Sequence, residues 1–400
     1  GVVSGGFGLS KSSAGTLTLS AANTYSGATT IENAGGGITV SDSGSLGTGS
    51  PKTYSAGISL GSSTTFTYAS STDQTLSGVI SGSGDVTKSA ETSTLTLSGT
   101  NTYTGVTTIS TGVLAASNAN ALGTTDGATT VASDATLSIS GSLSISESLS
   151  ISGDGVTSGT EMGAIRNTSG SNTISSQITL TADAEIQIDT GSTLTLSGGV
   201  TATNKNLTID GVGTTTVSGA LTTGTGSLTK SGAGALTLSA TNTYSGNTTI
   251  SAGTLTVSGA GSLGTGSPLD YAGEISIASG STFTYGSSVD QVLSGKITGS
   301  GAVAKSTSAT STLTLSGTAS DYTGATSVNS GTVSITTGAA LGTGAGATTV
   351  ASGAAVSISG SGLTISEPFS ITGTGISSSG ALVNVANSNT ITGAVTLAAD

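Results

Sequence analysis

The chain contains a long internal repeat. The run KSSAGTLTLSAANTY at 11–25 returns with small changes as KSGAGALTLSATNTY at 230–244. The run LGTGSP that begins at Leu46 returns at Leu263. Both steps give a period of about 218 residues, and repetition of this kind is typical of a stacked array, in which each unit buries its apolar face only against its neighbours.

A shorter echo lies inside each long repeat. The run LTLSAANTYSGATTI around Tyr25 returns as LTLSGTNTYTGVTTI around Tyr103, and the same step separates Tyr244 from Tyr322. Two nested periods indicate that the stacked unit is much smaller than an ordinary globular domain.

The apolar residues of these repeats follow the period of β-strands. Apolar and polar residues alternate in many short runs, each bounded by Gly, Asn, Asp or Ser-Gly. Examples are Leu17-Thr18-Leu19, Leu95-Thr96-Leu97, Leu194-Thr195-Leu196 and Leu255-Thr256-Val257. One side chain then points to the core and the next to solvent, and no segment shows a helical period. The pattern predicts an all-β chain of short strands and tight turns.

Two architectures use such strands: an antiparallel sandwich array and a parallel β-solenoid. Aromatic residues make up only 3% of the chain and Trp is absent, whereas sandwich cores depend on large rings. Asn-Gly, the strongest hairpin signal, does not occur. Thr and Ser dominate the outward positions, as expected where like residues stack coil upon coil. The sequence therefore favours a parallel β-solenoid, an elongated rod of about 20 coils at about 20 residues each.

Composition excludes several functional classes. With no Cys and no His, the chain lacks disulfides, thiol nucleophiles and imidazole ligands. The net charge is −12, but only 7% of residues are charged, and no basic stripe is present for nucleic acid. Low complexity with 64 Gly raises the alternative of disorder, which the many β-branched residues and the low charge oppose. We expect no enzyme activity, no cofactor, no nucleic-acid partner and no membrane insertion.

One segment carries a family resemblance. Residues 232–255, GAGALTLSATNTYSGNTTISAGTL, closely resemble the autotransporter-associated β-strand repeat, also called the passenger-associated transport repeat. The resemblance is good at 14–40 and 92–114 and weaker at 311–335, where Ser320-Asp321-Tyr322 replaces Asn-Thr-Tyr. It implies a right-handed parallel β-helix, export across a bacterial envelope, and a stalk or adhesive role without catalytic residues.

The repeat boundaries predict the organisation of the chain. Residues 1–10 are expected to end a preceding coil, 11–229 to form a first superrepeat, and 230–400 a second, truncated one, within one continuous solenoid. No signal peptide begins at Gly1 and no barrel strands close the C-terminus, so we expect a window from a longer polypeptide.

The recurrent Asn-Thr-Tyr element is a candidate structural motif. Its members are Asn23, Tyr25, Asn101, Tyr103, Asn242, Tyr244 and Tyr322. We expect Asn to cap a turn through its side-chain amide and Tyr to pack over the corner of a coil. The alternative is that the rings are exposed for sugar stacking or lateral contacts, although their spacing along the chain puts them several coils apart, too far for a continuous track.

One acidic cluster stands apart from the repeats. By strand alternation Asp183, Glu185, Gln187 and Asp189 share one side, opposite alternating Ala and Ile. Such carboxylates could serve a pectin-degrading hydrolase or hold a hard cation such as calcium, and the alternative is a solvated outer face. The sequence places no basic residue nearby to clamp a uronate, Arg166 being the only Arg.

Together these patterns favour a non-enzymatic structural segment of an extracellular bacterial surface fibre, stalk or adhesin. The alternative is a carbohydrate-binding or carbohydrate-active β-helix that uses Asp183, Glu185 and Asp189. Open strand edges invite stacking, so the expected partner is the protein itself, end to end or laterally, or neighbouring repeats of the same polypeptide. A surface glycan or a host cell is a further expected contact.

Overall fold

The described residues form β-structure throughout. The computed structural model describes residues 1–32, 35–157, 162–385 and 387–399. Within them the regular structure is β-strand, with one 3₁₀ turn at Ile376–Ser378 and no α-helix. The all-β prediction is confirmed. In the same residues no helix has the length and apolar character needed to cross a membrane.

The chain divides into two compact units, Gly1–Gly199 and Val200–Asp400. The first unit contains strands β1 to β21, in order: Leu9–Lys11, Thr16–Leu19, Ala22–Asn23, Thr29–Ile31, Gly37–Asp42, Ser45–Leu46, Lys52–Tyr54, Ile58–Leu60, Thr65–Ser70, Gln74–Leu76, Ile80–Gly82, Asp85–Leu97, Thr107–Ala116, Ala128–Val131, Ala135–Ser140, Ser144–Ile145, Ser148–Gly153, Ile165–Ser169, Ser171–Ile174, Ile178–Ile188 and Thr193–Leu196.

The second unit contains strands β22 to β47, in order: Val200–Ala202, Leu207–Gly211, Thr214–Val217, Leu221–Thr222, Leu228–Lys230, Ala235–Leu238, Thr241–Asn242, Thr248–Ile250, Thr254–Gly259, Ser262–Leu263, Asp270–Tyr271, Ile275–Ile277, Thr282–Ser287, Gln291–Leu293, Ile297–Gly299, Ala302–Lys305, Thr312–Leu315, Thr326–Val328, Gly331–Ile335, Thr348–Val350, Ala354–Ile358, Thr364–Ile365, Phe369–Thr372, Leu382–Asn384, Thr390–Ile391 and Val395–Ala399.

Within each unit a strand pairs in parallel with the strand that lies one coil later in the chain. In the first unit Thr16 lies opposite Gly37, and Gly37 opposite Thr65. In the second unit Leu236 lies opposite Leu255. Parallel pairing of strands that follow one another around a coil is the β-solenoid arrangement, so the predicted solenoid is confirmed and the sandwich alternative is wrong. The right hand of the coil stays a prediction.

Coil length varies more than a uniform repeat suggests. The described residues form about 17 turns, fewer than the sequence predicts. Leu9 pairs with Thr29, whereas Thr29 pairs with Ile58, so the second of these coils is clearly longer than the first. The longer coil includes the turn at Pro51, and such insertions account for the lower number of coils.

The core consists of the inward residues stacked from coil to coil. Ile38, Phe66 and Val86 lie opposite one another on successive strands and are fully buried. Each such side chain contributes about 1.5–3 kcal/mol by leaving water. The outward positions of the same strands carry a column of hydroxyl residues. That column comprises Thr18, Thr39, Thr67, Thr87, Thr108, Thr130, Ser150 and Thr179.

Candidate functional site

The recurrent tyrosines lie inside the coils. Each hydroxyl is hydrogen-bonded to a threonine in the strand that follows, over 2.6 to 2.8 Å, and each ring is at most 1% exposed. The four pairs are Tyr25–Thr29, Tyr103–Thr107, Tyr244–Thr248 and Tyr322–Thr326. Burial raises the pKa of every one of these hydroxyls, so they remain protonated. Rings in this position present no face to a sugar.

The asparagine that precedes three of these tyrosines connects successive coils. Asn242 Oδ1 accepts the N–H of Leu221 at 3.0 Å, from the coil before. Its Nδ2 donates to the carbonyl of Ser262, one coil later, at 3.0 Å, and to Ala240 in its own turn at 2.7 Å. Asn23 and Asn101 bridge their neighbouring coils in the same way, and all three are at most 1% exposed. The amide therefore joins three coils, its own included.

Ser320 occupies the asparagine position before Tyr322. Its Oγ accepts the N–H of Ile297 at 3.1 Å, and the residue is 6% exposed. A hydroxyl can thus replace the acceptor half of the asparagine amide. A serine hydroxyl carries one donor hydrogen where the asparagine amide carries two.

Four segments of the chain match a single protein-family model. It is described as passenger-associated-transport-repeat, and it matches residues 9–40, 90–116, 228–257 and 310–335. The chain carries four passenger-associated transport repeats. The resemblance drawn from the sequence is confirmed, and each repeat contains one of the buried tyrosines. No curated protein and no solved structure matches the chain.

A second tyrosine completes the interior hydrogen bonds of the first and third repeats. Tyr54 donates to the carbonyl of Gly27 at 2.6 Å, and its oxygen lies 2.8 Å from Thr29 Oγ1. Because Tyr54 has one proton, Thr29 donates to Tyr54 and Tyr25 donates to Thr29. The two rings meet edge to face with centroids 5.5 Å apart. Tyr271 makes the same contacts with Tyr244, again at 5.5 Å. Sequence analysis missed this pair, although the long repeat contained the signal.

The repeated LGTGSP run forms the fixed turn that its recurrence suggests. Thr48 and Thr53 make an antiparallel bridge across it, and the Ser50–Pro51 peptide is cis. Gly47 has a φ of +75°, and a Cβ there would lie 1.9 Å from the carbonyl oxygen of Thr53. Only glycine fits such a position. Gly264 is equivalent, with its Cβ position 1.8 Å from a backbone oxygen.

Buried lysines accompany the repeats. Lys230 Nζ donates to the carbonyls of Ser231 and Gly232, the latter at 2.7 Å, and Lys305 Nζ donates to the carbonyl of Ser308 at 3.1 Å. Lys88 and Lys230 are at most 1% exposed, and burial lowers the pKa of each to about 8. Backbone oxygens thus replace water around the ammonium groups, which fixes the turns that these oxygens belong to. Sequence analysis did not single out these residues.

The acidic cluster differs from its expected geometry in two ways. Asp183 is exposed, but Glu185 is only 8% exposed, so the carboxylates do not share one outward face. The reason is a register shift in the pairing of β17 with β20, next to Ala184, which breaks the strict alternation. Arg166 lies on the neighbouring coil and binds Asp189 at 3.0 Å. A basic residue is therefore close in space although it is far in sequence.

Two surface depressions among the described residues do not collect catalytic groups. One, of about 500 Å³, opens between Lys52 and Asp73, and another, of about 80 Å³, lies against Tyr25 and Tyr54. Asp73 Oδ1 already accepts the N–H of Thr94 at 2.8 Å. Within the described ranges, no group of three or more Asp or Glu is placed to hold a metal ion.

Proposed function

We propose that this chain is a non-enzymatic structural segment of an extracellular bacterial surface protein, serving in a fibre, stalk or adhesin. Four passenger-associated transport repeats on a parallel β-solenoid fit the passenger segment of an autotransporter. The presence of these repeats favours a secreted or surface-exposed protein. The structural role itself is our proposal.

The observation that carries the proposal is the direction of the recurrent side chains. Asn242 and its counterparts point into the coils and bind the backbone of adjacent coils, and Tyr244 and its counterparts fill the interior. A binding protein or an enzyme would be expected to turn its recurrent polar residues outward, to a ligand. Here the recurrent residues hold successive coils together, which a structural segment without disulfides requires.

The proposed partners follow from the same arrangement. Open strands at the end of a solenoid accept another coil, so neighbouring repeats of the same polypeptide, or a second copy, are the partners we propose. A surface glycan or a host-cell contact would then lie outside the recurrent residues, because those are buried.

The carbohydrate-active alternative has weaker support. A hydrolase needs two carboxyl groups held on either side of the scissile bond. Here Arg166 neutralises Asp189, and Glu185 is buried while Asp183 is exposed. Such a set does not offer two facing carboxylates to one sugar.

Two experiments test the proposal. Immunogold electron microscopy of native cells, with antibodies against this chain, should label extended material outside the envelope, and label confined to the cell interior would contradict it. Incubation of the purified chain with polygalacturonate should release no reducing ends. Release that is lost in Asp189→Asn, but kept in the exposed control Asp126→Asn, would establish the alternative instead.

A further inference from the structure

Two buried glutamates take no part in the repeat motif. Glu147 follows β16 and Glu367 follows β43, so the two lie at equivalent places in the long repeat, one in each unit. They are 4% and 2% exposed. Buried acids are rare unless a partner compensates for the lost hydration. A buried glutamate at the same place in both units is therefore unusual.

Each carboxyl group has one polar partner. Thr129 Oγ1 donates to Glu147 Oε1 at 2.7 Å, and Thr348 Oγ1 donates to Glu367 Oε1 at 3.1 Å. The second oxygen, Oε2, is buried without a hydrogen bond in both residues. An ionised carboxylate needs donors on both oxygens, whereas a carboxylic acid carries no charge to compensate. The environment therefore fits the neutral form.

No ion pair in the described ranges stabilises the ionised form of these two glutamates. The ion pairs found in the described ranges join Arg166 to Asp189 and Lys296 to Asp321, and neither involves the buried glutamates. Among the described residues, the tyrosine hydroxyls of Tyr103 and Tyr322 interact electrostatically with these two carboxyl groups.

Those hydroxyls come from two coils earlier, with Thr129 and Thr348 on the coil between. Once ionised, Glu147 contributes to raising the pKa of Tyr103, and Glu367 contributes to raising that of Tyr322, after the larger effect of burial. Tyr103 is bonded to Thr107, which lies opposite Thr129 in the parallel ladder. The carboxyl group is thus at the end of a column of neutral hydroxyl groups that offers it no cation.

We propose that Glu147 and Glu367 are acid-set latches: each is held as a carboxylic acid in the folded coil, and ionisation of its carboxyl group loosens the coils around it. Burial raises the pKa of both groups from 4.5 to about 7, with the threonine hydrogen bond opposing this rise. Between those values the native state binds more protons than the unfolded chain. Stability from these two groups is therefore fully present below about pH 4.5 and is lost as the pH rises through about 7.

This pH dependence of stability is the opposite of the usual one. In most proteins, paired carboxylates make the native state weaker in acid. Here the coils that contain β14 with β17, and β41 with β44, become the first to open when the pH rises. The coils around these two glutamates would then be more stable at acid pH than at alkaline pH.

Direct titration tests the protonation state in the unmodified protein. Glutamate carboxyl carbons labelled with ¹³C are followed by NMR as the pH is raised. We expect two resonances with midpoints near 7, one lost in Glu147→Gln and the other in Glu367→Gln. If every glutamate titrates near 4.5, the latch proposal is wrong, whatever the variants do.

Stability measurements test the consequence. Urea unfolding of wild type should show a folding equilibrium constant that falls, between about pH 4.5 and about pH 8, on the order of 100-fold for each latch. Glu147→Gln keeps the shape of the side chain and the acceptor for Thr129, so its share of this fall should disappear. The exposed control Glu91→Gln should keep the full wild-type dependence. Equal pH dependence in wild type and Glu147→Gln would overturn the proposal.

Discussion

Replacing Asn242 by Ala should weaken the third repeat more than any exposed substitution. The change removes one acceptor and one amide donor group from a fully buried position that joins three coils. The N–H of Leu221 then has no acceptor inside the protein, and the carbonyls of Ser262 and Ala240 each lose a donor.

The magnitude follows from these lost partners. A buried N–H without a partner costs about 1–3 kcal/mol, and the two lost carbonyl contacts together add about 1 kcal/mol. The space left by the missing amide adds a cavity cost. We expect a loss of about 3–4 kcal/mol in the free energy of unfolding. This would be a large effect for a single side chain, because most substitutions cost about 0.5–3 kcal/mol.

Asn242→Ser is the matched control, because Ser320 shows that a hydroxyl at this position accepts the N–H of the preceding coil at 3.1 Å. The serine variant should lose roughly half as much stability as the alanine variant. Urea unfolding followed by circular dichroism measures the difference, and hydrogen exchange measures its cause: the Leu221 amide should exchange rapidly in Asn242→Ala and remain protected in Asn242→Ser. Equal exchange of that amide in wild type and Asn242→Ala would refute the bridging role.

Three other outcomes follow from the same structure. Gly264→Ala should prevent the LGTGSP turn from forming its native geometry and lower the melting temperature strongly, since the new Cβ would lie 1.8 Å from a backbone oxygen. The control Gly191→Ala, at a φ of +76° with open space around it, should lower the free energy of unfolding by only about 1 kcal/mol. Burial lowers the pKa of Lys230 from 10.5 to about 8, so between about pH 8 and 10.5 the unfolded chain binds more protons than the native state. The free energy of unfolding should therefore rise with pH across that range, and urea titrations of Lys230→Met should show a smaller rise. Arg166→Met should cost less than about 1 kcal/mol, and less still at high salt, because its ion pair with Asp189 is partly exposed; a cost of several kcal/mol would contradict this.

The fold could be predicted from the sequence because its causes are local and repeated. Alternation at Leu17-Thr18-Leu19 and similar runs specifies which side of a strand is buried, and glycine-bounded turns limit strand length. The position of the repeat motif around Tyr244 was equally visible. What alternation alone did not reveal was that the ring lies inside the coil, with its hydroxyl bonded to Thr248.

Features that depend on contacts between coils were harder to foresee. Glu185 was expected on an outer face, but the register shift next to Ala184 arises from the pairing of two coils, which no single strand encodes. Arg166 and Asp189 are far apart along the chain and meet because one coil separates them. The burial of Glu147 is likewise a property of the stack, since Thr129 on the preceding coil supplies its hydrogen bond.

Thiol cross-linking between outward positions tests the parallel coil stack most directly, because the chain has no Cys of its own. Thr237 lies opposite Thr256 on the next strand, and Thr256 lies opposite Thr284 on the strand after it. A cross-linker that spans one strand spacing, about 4.8 Å between neighbouring strands, should join cysteines placed at Thr237 and Thr256 and fail to join those at Thr237 and Thr284. Efficient joining of the second pair, or none of the first, would contradict the stack on which the account depends.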